Sequence, residues 1–149
     1  MAKGFEVETV IAAPPDRVWA AMTDFAQAPR WMPGLHEVAP KDDRPLGAGK
    51  VFAVTMSTKG RGKQRDMTLS DWHPSDRFAL SSPEGGVTAT YTYSLTPDGK
   101  GTCVKLLGIC EAKGLFWRLL HPLIVKMMAK HDGAQVDLLK DLIEQGGSR

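Results

Sequence analysis

The chain has 149 residues, a length typical of one domain, and 42% of them are hydrophobic, which excludes an intrinsically disordered protein. A formal net charge of +2 gives no strong basic field, so nucleic acid is not expected as a partner, while weak attraction to an anionic membrane surface stays open. No apolar run approaches the ~20 residues of a membrane-spanning helix, and the early acidic Glu6 argues against a secretory signal. We therefore expect a single domain over residues 1–149, located in the cytoplasm, without stable membrane insertion.

The predicted elements begin with a half-buried strand over residues 4–12, because Phe5, Val7 and Ile11 alternate with the glutamates Glu6 and Glu8. Two short helices follow. The first runs through residues 18–22 with prolines near its first turn, and the second lies within residues 24–30.

The middle of the chain then changes to short strands separated by turn residues. Strands are predicted at 35–39, 51–58, 65–72, 77–81, 87–96 and 102–112, with turns at 59–63, 73–76, 83–86 and 97–99. The alternation is clearest in 87–96, where Tyr91 and Tyr93 share the apolar face. Consecutive strands joined by hairpin turns predict an antiparallel meander rather than βαβ units.

The C-terminal part is predicted to be one long helix, which starts at Pro122 or begins near Leu115 and is kinked at Pro122. From Pro122 to Gln145 this helix would span roughly 36 Å. Since only the sheet is large enough to cover it, the sequence predicts an α+β fold in which a curved antiparallel sheet wraps around a long C-terminal helix.

The two faces of this helix differ in polarity. The solvent face is predicted to carry Lys126, Lys130, Gly133, Asp137, Lys140 and Glu144. The opposite face carries two polar residues, His131 and Gln135, among the apolar residues Ile124, Met128, Leu138, Leu139 and Leu142. A buried polar group without a partner costs about 1–3 kcal/mol. Either a strand carbonyl, a tyrosine or a buried water satisfies these two residues, or they line a cavity that admits a ligand.

The inner face of the sheet offers counterparts to this helix face. Met67 and Leu69 point inward on their strand, and Arg65 shares their parity unless a bulge intervenes. On the helix face, the flexible Met127 and Met128 suit an adaptable pocket, although core packing is the more frequent role of such methionines. Trp31 and Met32 follow the short helices, where they would form a lid. The candidate ligand-binding residues are Trp31, Met32, Arg65, Met67, Leu69, Tyr91, Tyr93, Ile124, Met127, Met128, His131 and Gln135.

The layout as a whole resembles a known superfamily. Residues 10–19 (VIAAPPDRVW), residues 24–31, the turn at 72–77 (WHPSDR) and Gly101-Thr102 are similar, in this order, to the START/polyketide-cyclase (SRPBCC) superfamily, in particular its polyketide cyclase/dehydrase-like members. The resemblance covers nearly the whole chain. It implies a helix-grip fold and an apolar tunnel that takes lipids, sterols, polyketides or isoprenoids, but it does not specify the chemistry.

Three functions are weighed against this background. The leading hypothesis is a binding protein for a small hydrophobic molecule. The second is a cyclase or dehydratase, in which His131 acts as acid or base while Tyr91, Tyr93 or Arg65 polarises a carbonyl. Asp66 and Glu111 have outer-face parity, so no carboxylate is expected beside His131. The third is a co-chaperone-like or toxin-like interaction module that uses the basic hairpin at 59–65.

Other sites are not indicated. The four histidines lack HExxH spacing and cysteine companions, and glycine-rich phosphate loops are absent from the sequence, so neither a metal nor another cofactor is expected. Cys103 and Cys110 lie on opposite faces of one predicted strand and should not pair, which suits a reducing compartment. We expect a monomer or a homodimer.

Overall fold

The computed structural model describes residues 2–32, 35–58, 61–84, 87–132 and 134–146, except for the side chains at 2–3, 56–58, 61–63, 84, 116–117, 124, 127–128, 131–132 and 146. In chain order the elements are β1 (Ala2–Ile11), α1 (Pro15–Thr23), a 3-10 helix (Phe25–Arg30), β2 (Leu35–Pro40), β3 (Val51–Thr58), β4 (Arg61–His73), β5 (Arg77–Glu84), β6 (Val87–Asp98), β7 (Gly101–Ala112), α2 (Leu115–Asp132) and α3 (Gln135–Gly146).

The strands form one curved antiparallel sheet in the order β1-β7-β6-β5-β4-β3-β2. Strands β2 to β7 follow one another as a meander, as predicted, and the two short helices carry the chain from β1 at one edge to β2 at the other. The β6–β7 hairpin is tight, because Asp98 pairs with Gly101 and Gly99 adopts a φ of +60° that a glycine accepts without strain.

All four described hairpins from β3 to β7 extend further than the sequence suggested; for example, Pro97 pairs with Thr102 and His73 pairs with Arg77. Arg61 and Gly62, predicted to lie in a turn, pair with Thr58 and Ser57 as part of β4. In the same way, β5 continues through Pro83, which pairs with Thr88. The predicted turns were too long, because glycine and proline at the end of a hairpin can still take part in strand pairing.

Alternation along the strands buries one face of the sheet. On β7 the buried positions are Thr102, Val104, Leu106, Gly108, Cys110 and Ala112. Gly108 makes room for the ring of Phe5 on β1, since a Cβ placed at this glycine would lie 2.4 Å from Phe5 Cε1. The half-buried face predicted for β1 is confirmed by this packing.

The short helices close one end of the sheet with aromatic side chains. Phe25 of the 3-10 helix lies 5.0 Å from Phe52 and 5.6 Å from Phe78 between ring centroids. Trp19 of α1 makes a T-shaped contact with Phe78, with ring centroids 5.6 Å apart. Burying a phenylalanine stabilises the fold by about 1.5–3 kcal/mol, so these contacts hold the 3-10 helix in place against β3 and β5.

The C-terminal helix is not continuous. Its first segment, α2, begins at Leu115 and contains Pro122, which confirms one of the two predicted starts. The prediction of an unbroken helix to Gln145 is wrong, because a new helix begins at Gln135. In the sequence, Gly133 falls between these two helices but lies outside the described residues. Glycine costs about 1 kcal/mol relative to alanine inside a helix. None of the described helices is both long enough and apolar enough to span a bilayer.

The break changes which residues of α3 face the sheet. Leu138, predicted to point inward, is 39% exposed, whereas Val136 and Ile143, which were not assigned to the inner face, are buried. Leu139 is buried as predicted. The prediction for Leu138 is therefore wrong, because it assumed one helical phase from residue 124 to residue 142.

A latch of two side chains holds α3 to the edge strand. Lys140 Nζ donates to the carbonyl of Val10 at 2.8 Å, and the backbone N–H of Ala12 donates to Glu144 Oε2 at 2.9 Å. Lys140 and Glu144 also pair with each other at 2.6 Å. The hydrogen bonds from Lys140 and Ala12 lower the pKa of Glu144.

Candidate ligand-binding site

A buried hydrogen bond joins the middle of the sheet to the start of α3. Tyr93 of β6 stands between Phe78 on β5 and Leu106 on β7 in the strand register. Its hydroxyl donates to Gln135 Oε1 at 2.6 Å, and both residues are buried. A tyrosine thus satisfies the polar residue that the sequence placed on the inner face of the helix.

Trp31 lies directly against this pair. Its ring meets Tyr93 edge to face, with centroids 5.6 Å apart and an interplanar angle of 85°. The side chain is fully buried, and its indole Nε1–H has no hydrogen-bond partner among the described residues. A buried donor left without an acceptor costs about 1–3 kcal/mol, so this N–H is suited to an acceptor brought by a bound molecule.

The structure brings several other predicted residues to the same interior. Met32, Met67 and Leu69 are buried in one hydrophobic cluster with Trp31 and Tyr93. Trp31 and Met32, which were predicted to form a lid, are buried in the core beneath the surface.

Tyr91 and Arg65 lie at the margin of this cluster. Tyr91 is half-buried and its ring centroid is 6.2 Å from that of Phe5. Arg65 faces Val54 across the β3–β4 pairing, is half-buried, and has its Nε atom shielded from solvent. The inward parity of Arg65 on β4 therefore agrees with its burial.

Four predicted residues cannot be placed in this way. Ile124, Met127, Met128 and His131 belong to α2, but their side chains lie outside the described part of the structure. The tip of the basic hairpin, Lys59 and Gly60, is also outside it, as are the side chains at 61–63. Their assignment to a ligand site or to a partner surface stays a prediction.

One buried polar residue was missed from the sequence. His121 of α2 is buried, and its Nε2–H donates to the carbonyl of Cys110 on β7 at 2.7 Å. This bond ties α2 to the sheet. The available signal was a histidine within the apolar stretch from Leu115 to Ala129, which was treated only as an interruption of that stretch.

The described carboxylates lie outside the buried interior. Among the described residues no aspartate or glutamate is buried. Asp66 is exposed and pairs with Lys41 at 3.0 Å, and Glu111 is exposed on β7, so both outer-face predictions are confirmed. Within the same part of the chain, no group of histidine, cysteine and acidic residues is arranged to hold a metal ion.

Neither cysteine has the character of a nucleophile. Both are free, and burial raises the pKa of each thiol, with the negative charge of Glu8 adding to the shift at Cys103 and that of Glu111 at Cys110. A protonated thiol is a poor nucleophile. The described polar groups of the interior can therefore orient a ligand and donate hydrogen bonds, but they do not include a thiolate or a buried carboxylate base.

Comparison with known proteins supports this architecture. A family model described as polyketide cyclase/dehydrase and lipid transport matches residues 3–144. Among curated protein sequences no significant match is found.

Solved structures share the fold at low identity. The ZhuI aromatase/cyclase from a Streptomyces species is 15% identical with a TM-score of 0.78, covering 97% of this chain and 95% of that protein. TTHA0849 from Thermus thermophilus is 23% identical with a TM-score of 0.73, covering 95% and 99%. A point mutant of norcoclaurine synthase from Thalictrum flavum, in complex with a transition-state analogue, is 19% identical with a TM-score of 0.73, covering 99% and 97%.

Proposed function

Since this chain belongs to the polyketide cyclase/dehydrase and lipid transport family, we propose that residues 1–149 form a single domain that binds one small hydrophobic molecule between the sheet and the C-terminal helices. The ligand is a lipid, an isoprenoid or a polyketide-like compound that carries at least one acceptor oxygen. We also propose a cytoplasmic monomer or homodimer, in line with the two free cysteines.

The observation that carries this proposal is the indole N–H of Trp31. It is fully buried without a hydrogen-bond partner among the described residues and lies beside the Tyr93–Gln135 pair. An apolar interior gains nothing from such a donor unless an acceptor meets it. A ligand carbonyl or hydroxyl at this point would remove the cost and orient the rest of the molecule.

The other proposed contacts are apolar or peripheral. Met32, Met67, Leu69 and Tyr91 would contact the hydrocarbon or ring system, as would Ile124, Met127 and Met128 of α2 if their side chains face the sheet. Arg65 and His131 would meet any further polar group of the ligand.

Native mass spectrometry of freshly purified protein tests the proposal, followed by titration with palmitic acid, farnesol and alizarin as probes. We expect a discrete adduct or saturable binding of at least one probe. Trp31→Phe should weaken binding of the oxygen-bearing probe about tenfold, because it removes the N–H while keeping an aromatic ring.

Two controls isolate the hydrogen bond. Trp72→Phe makes the same chemical change at a half-buried ring that contacts Trp19 at 5.1 Å and should leave binding unchanged. Farnesene lacks the hydroxyl of farnesol, so Trp31→Phe should abolish the preference for the alcohol. Binding of none of the probes, together with the absence of any co-purified molecule, would count against the binding function.

A second candidate function is a cyclase or dehydratase. The observation in its favour is the buried Tyr93 hydroxyl, which donates its single proton to Gln135 Oε1 at 2.6 Å and would polarise a substrate carbonyl that took the place of this acceptor. His131 would act as acid or base. In this case His131→Ala should lower turnover of an aromatic polyketide-like substrate more than it lowers stability. Unchanged turnover in that variant would remove His131 from the mechanism.

A further inference from the structure

The outward face of α2 carries an apolar stripe. Leu115, Leu119 and Leu123 are 76%, 74% and 56% exposed, the highest values among the exposed large hydrophobic residues of the described structure. Their four-residue spacing places them in one line along the helix. Three adjacent leucines in water form a larger apolar patch than scattered surface residues do, and such patches mark interaction sites.

Basic residues continue and flank the same face. Lys126 lies three residues after Leu123 and Lys130 four residues after Lys126, so they extend the line of the leucines, and Arg118 lies beside it. All three side chains are exposed and form no ion pair with a described residue. The sequence contains no aspartate or glutamate between residues 113 and 131. The face is therefore purely cationic as well as apolar.

We propose that this face of α2 docks on the surface of a lipid bilayer that contains anionic headgroups. The line from Leu115 to Lys130 is roughly 22 Å long, which lets the helix lie in the plane of the interface. Leucines enter the acyl boundary there while lysines reach the phosphates. A second copy of the chain is a poorer occupant, because a two-fold contact through this face would oppose like charges without a carboxylate to pair them.

This docking is peripheral and differs from the ligand site, since the stripe lies on the side of α2 away from His121, which bonds to the sheet. It goes beyond the proposed ligand binding and does not depend on it. If both hold, the docked face brings one wall of the ligand site next to the membrane, where an apolar molecule would enter or leave.

Vesicle flotation with the full chain tests the proposal. The probe is phosphatidylcholine vesicles with roughly one third phosphatidylglycerol, compared with pure phosphatidylcholine at low and high salt. We expect binding to the anionic vesicles that weakens as salt rises. Leu119→Gln and Lys126→Glu should each reduce the partition coefficient about tenfold.

Two control variants carry the same Leu→Gln and Lys→Glu changes at exposed positions outside the proposed docking face. Leu138→Gln changes an exposed leucine on α3, and Lys100→Glu changes an exposed lysine in the β6–β7 turn; both should bind like the unmodified protein. Equal binding to both vesicle types, or equal loss in the control variants, would overturn the proposal. The proposal would also be overturned if the unmodified protein does not float with vesicles but forms a dimer in sedimentation velocity that Leu119→Gln dissociates.

Discussion

The buried hydrogen bond between Tyr93 and Gln135 allows a direct test of how sheet and helix are coupled. Tyr93→Phe keeps the ring, and with it the stacking on Phe78 at 4.9 Å and the edge contact with Trp31, but removes the hydroxyl. The donor to a buried amide oxygen at 2.6 Å is then missing. We expect a loss of about 1–3 kcal/mol in the free energy of unfolding.

Urea unfolding followed by circular dichroism measures this loss, because the slope with denaturant should not change if the fold is kept. For a chain of this size the same loss lowers Tm by about 3–9 °C. Gln135→Leu should cost a similar amount on its own, since it leaves the Tyr93 hydroxyl buried without this acceptor.

The double variant supplies the control. If the bond couples the two residues, Tyr93→Phe should cost little in the Gln135→Leu background, giving a coupling of about 1–2 kcal/mol. Additive losses, or a Tyr93→Phe variant as stable as the unmodified protein, would refute the argument that this bond fastens α3 to the sheet.

Two further predictions follow from polar contacts of the C-terminal helices. Hydrogen bonds from Lys140 and Ala12 lower the pKa of Glu144, so its ionised form stabilises the fold. This stabilisation is fully present at pH values above 4.5, the ordinary pKa of the group, and is lost as the pH falls through the lowered pKa. Glu144→Gln should therefore be less stable than the unmodified protein at neutral pH, with the gap closing on acidification; urea titrations across this pH range measure it, and a constant gap would contradict the assignment. His121→Leu should lose about 1–3 kcal/mol, because it removes the buried hydrogen bond to the carbonyl of Cys110 on β7. The exposed His36→Leu should change stability by less than about 0.5 kcal/mol. Equal losses for the two variants in thermal unfolding would show that burial of the imidazole is unimportant.

The strand architecture could be predicted because each strand carries its own signal. Alternation at Tyr91 and Tyr93 and the turn at Gly99 are local features, and a slip by one residue would expose the whole apolar face. The bounds of β3 were predicted to the residue. The family resemblance then specified how strands and helices are arranged, which local patterns alone do not.

The helices were harder because their orientation depends on contacts distant in sequence. The inward position of Gln135 was predicted, but Leu138 was misplaced, because one helix ends at Asp132 and another with a different helical phase begins at Gln135. The polar partner of His121 is a backbone carbonyl on β7, which no side-chain pattern reveals. The isolated N–H of Trp31 depends on the packing of the 3-10 helix against Tyr93 and likewise has no signature in the sequence.

The latch between α3 and β1 has a consequence for association between molecules. β1 forms one open edge of the sheet, and edge strands invite pairing with strands of other molecules. Lys140 and Glu144 occupy the carbonyl of Val10 and the N–H of Ala12, which an incoming strand would otherwise use. The opposite edge, β2, is protected differently, by Pro40 and by a register shift near Leu35. Detachment of α3 alone, without global unfolding, would therefore expose a template for fibril-like aggregation.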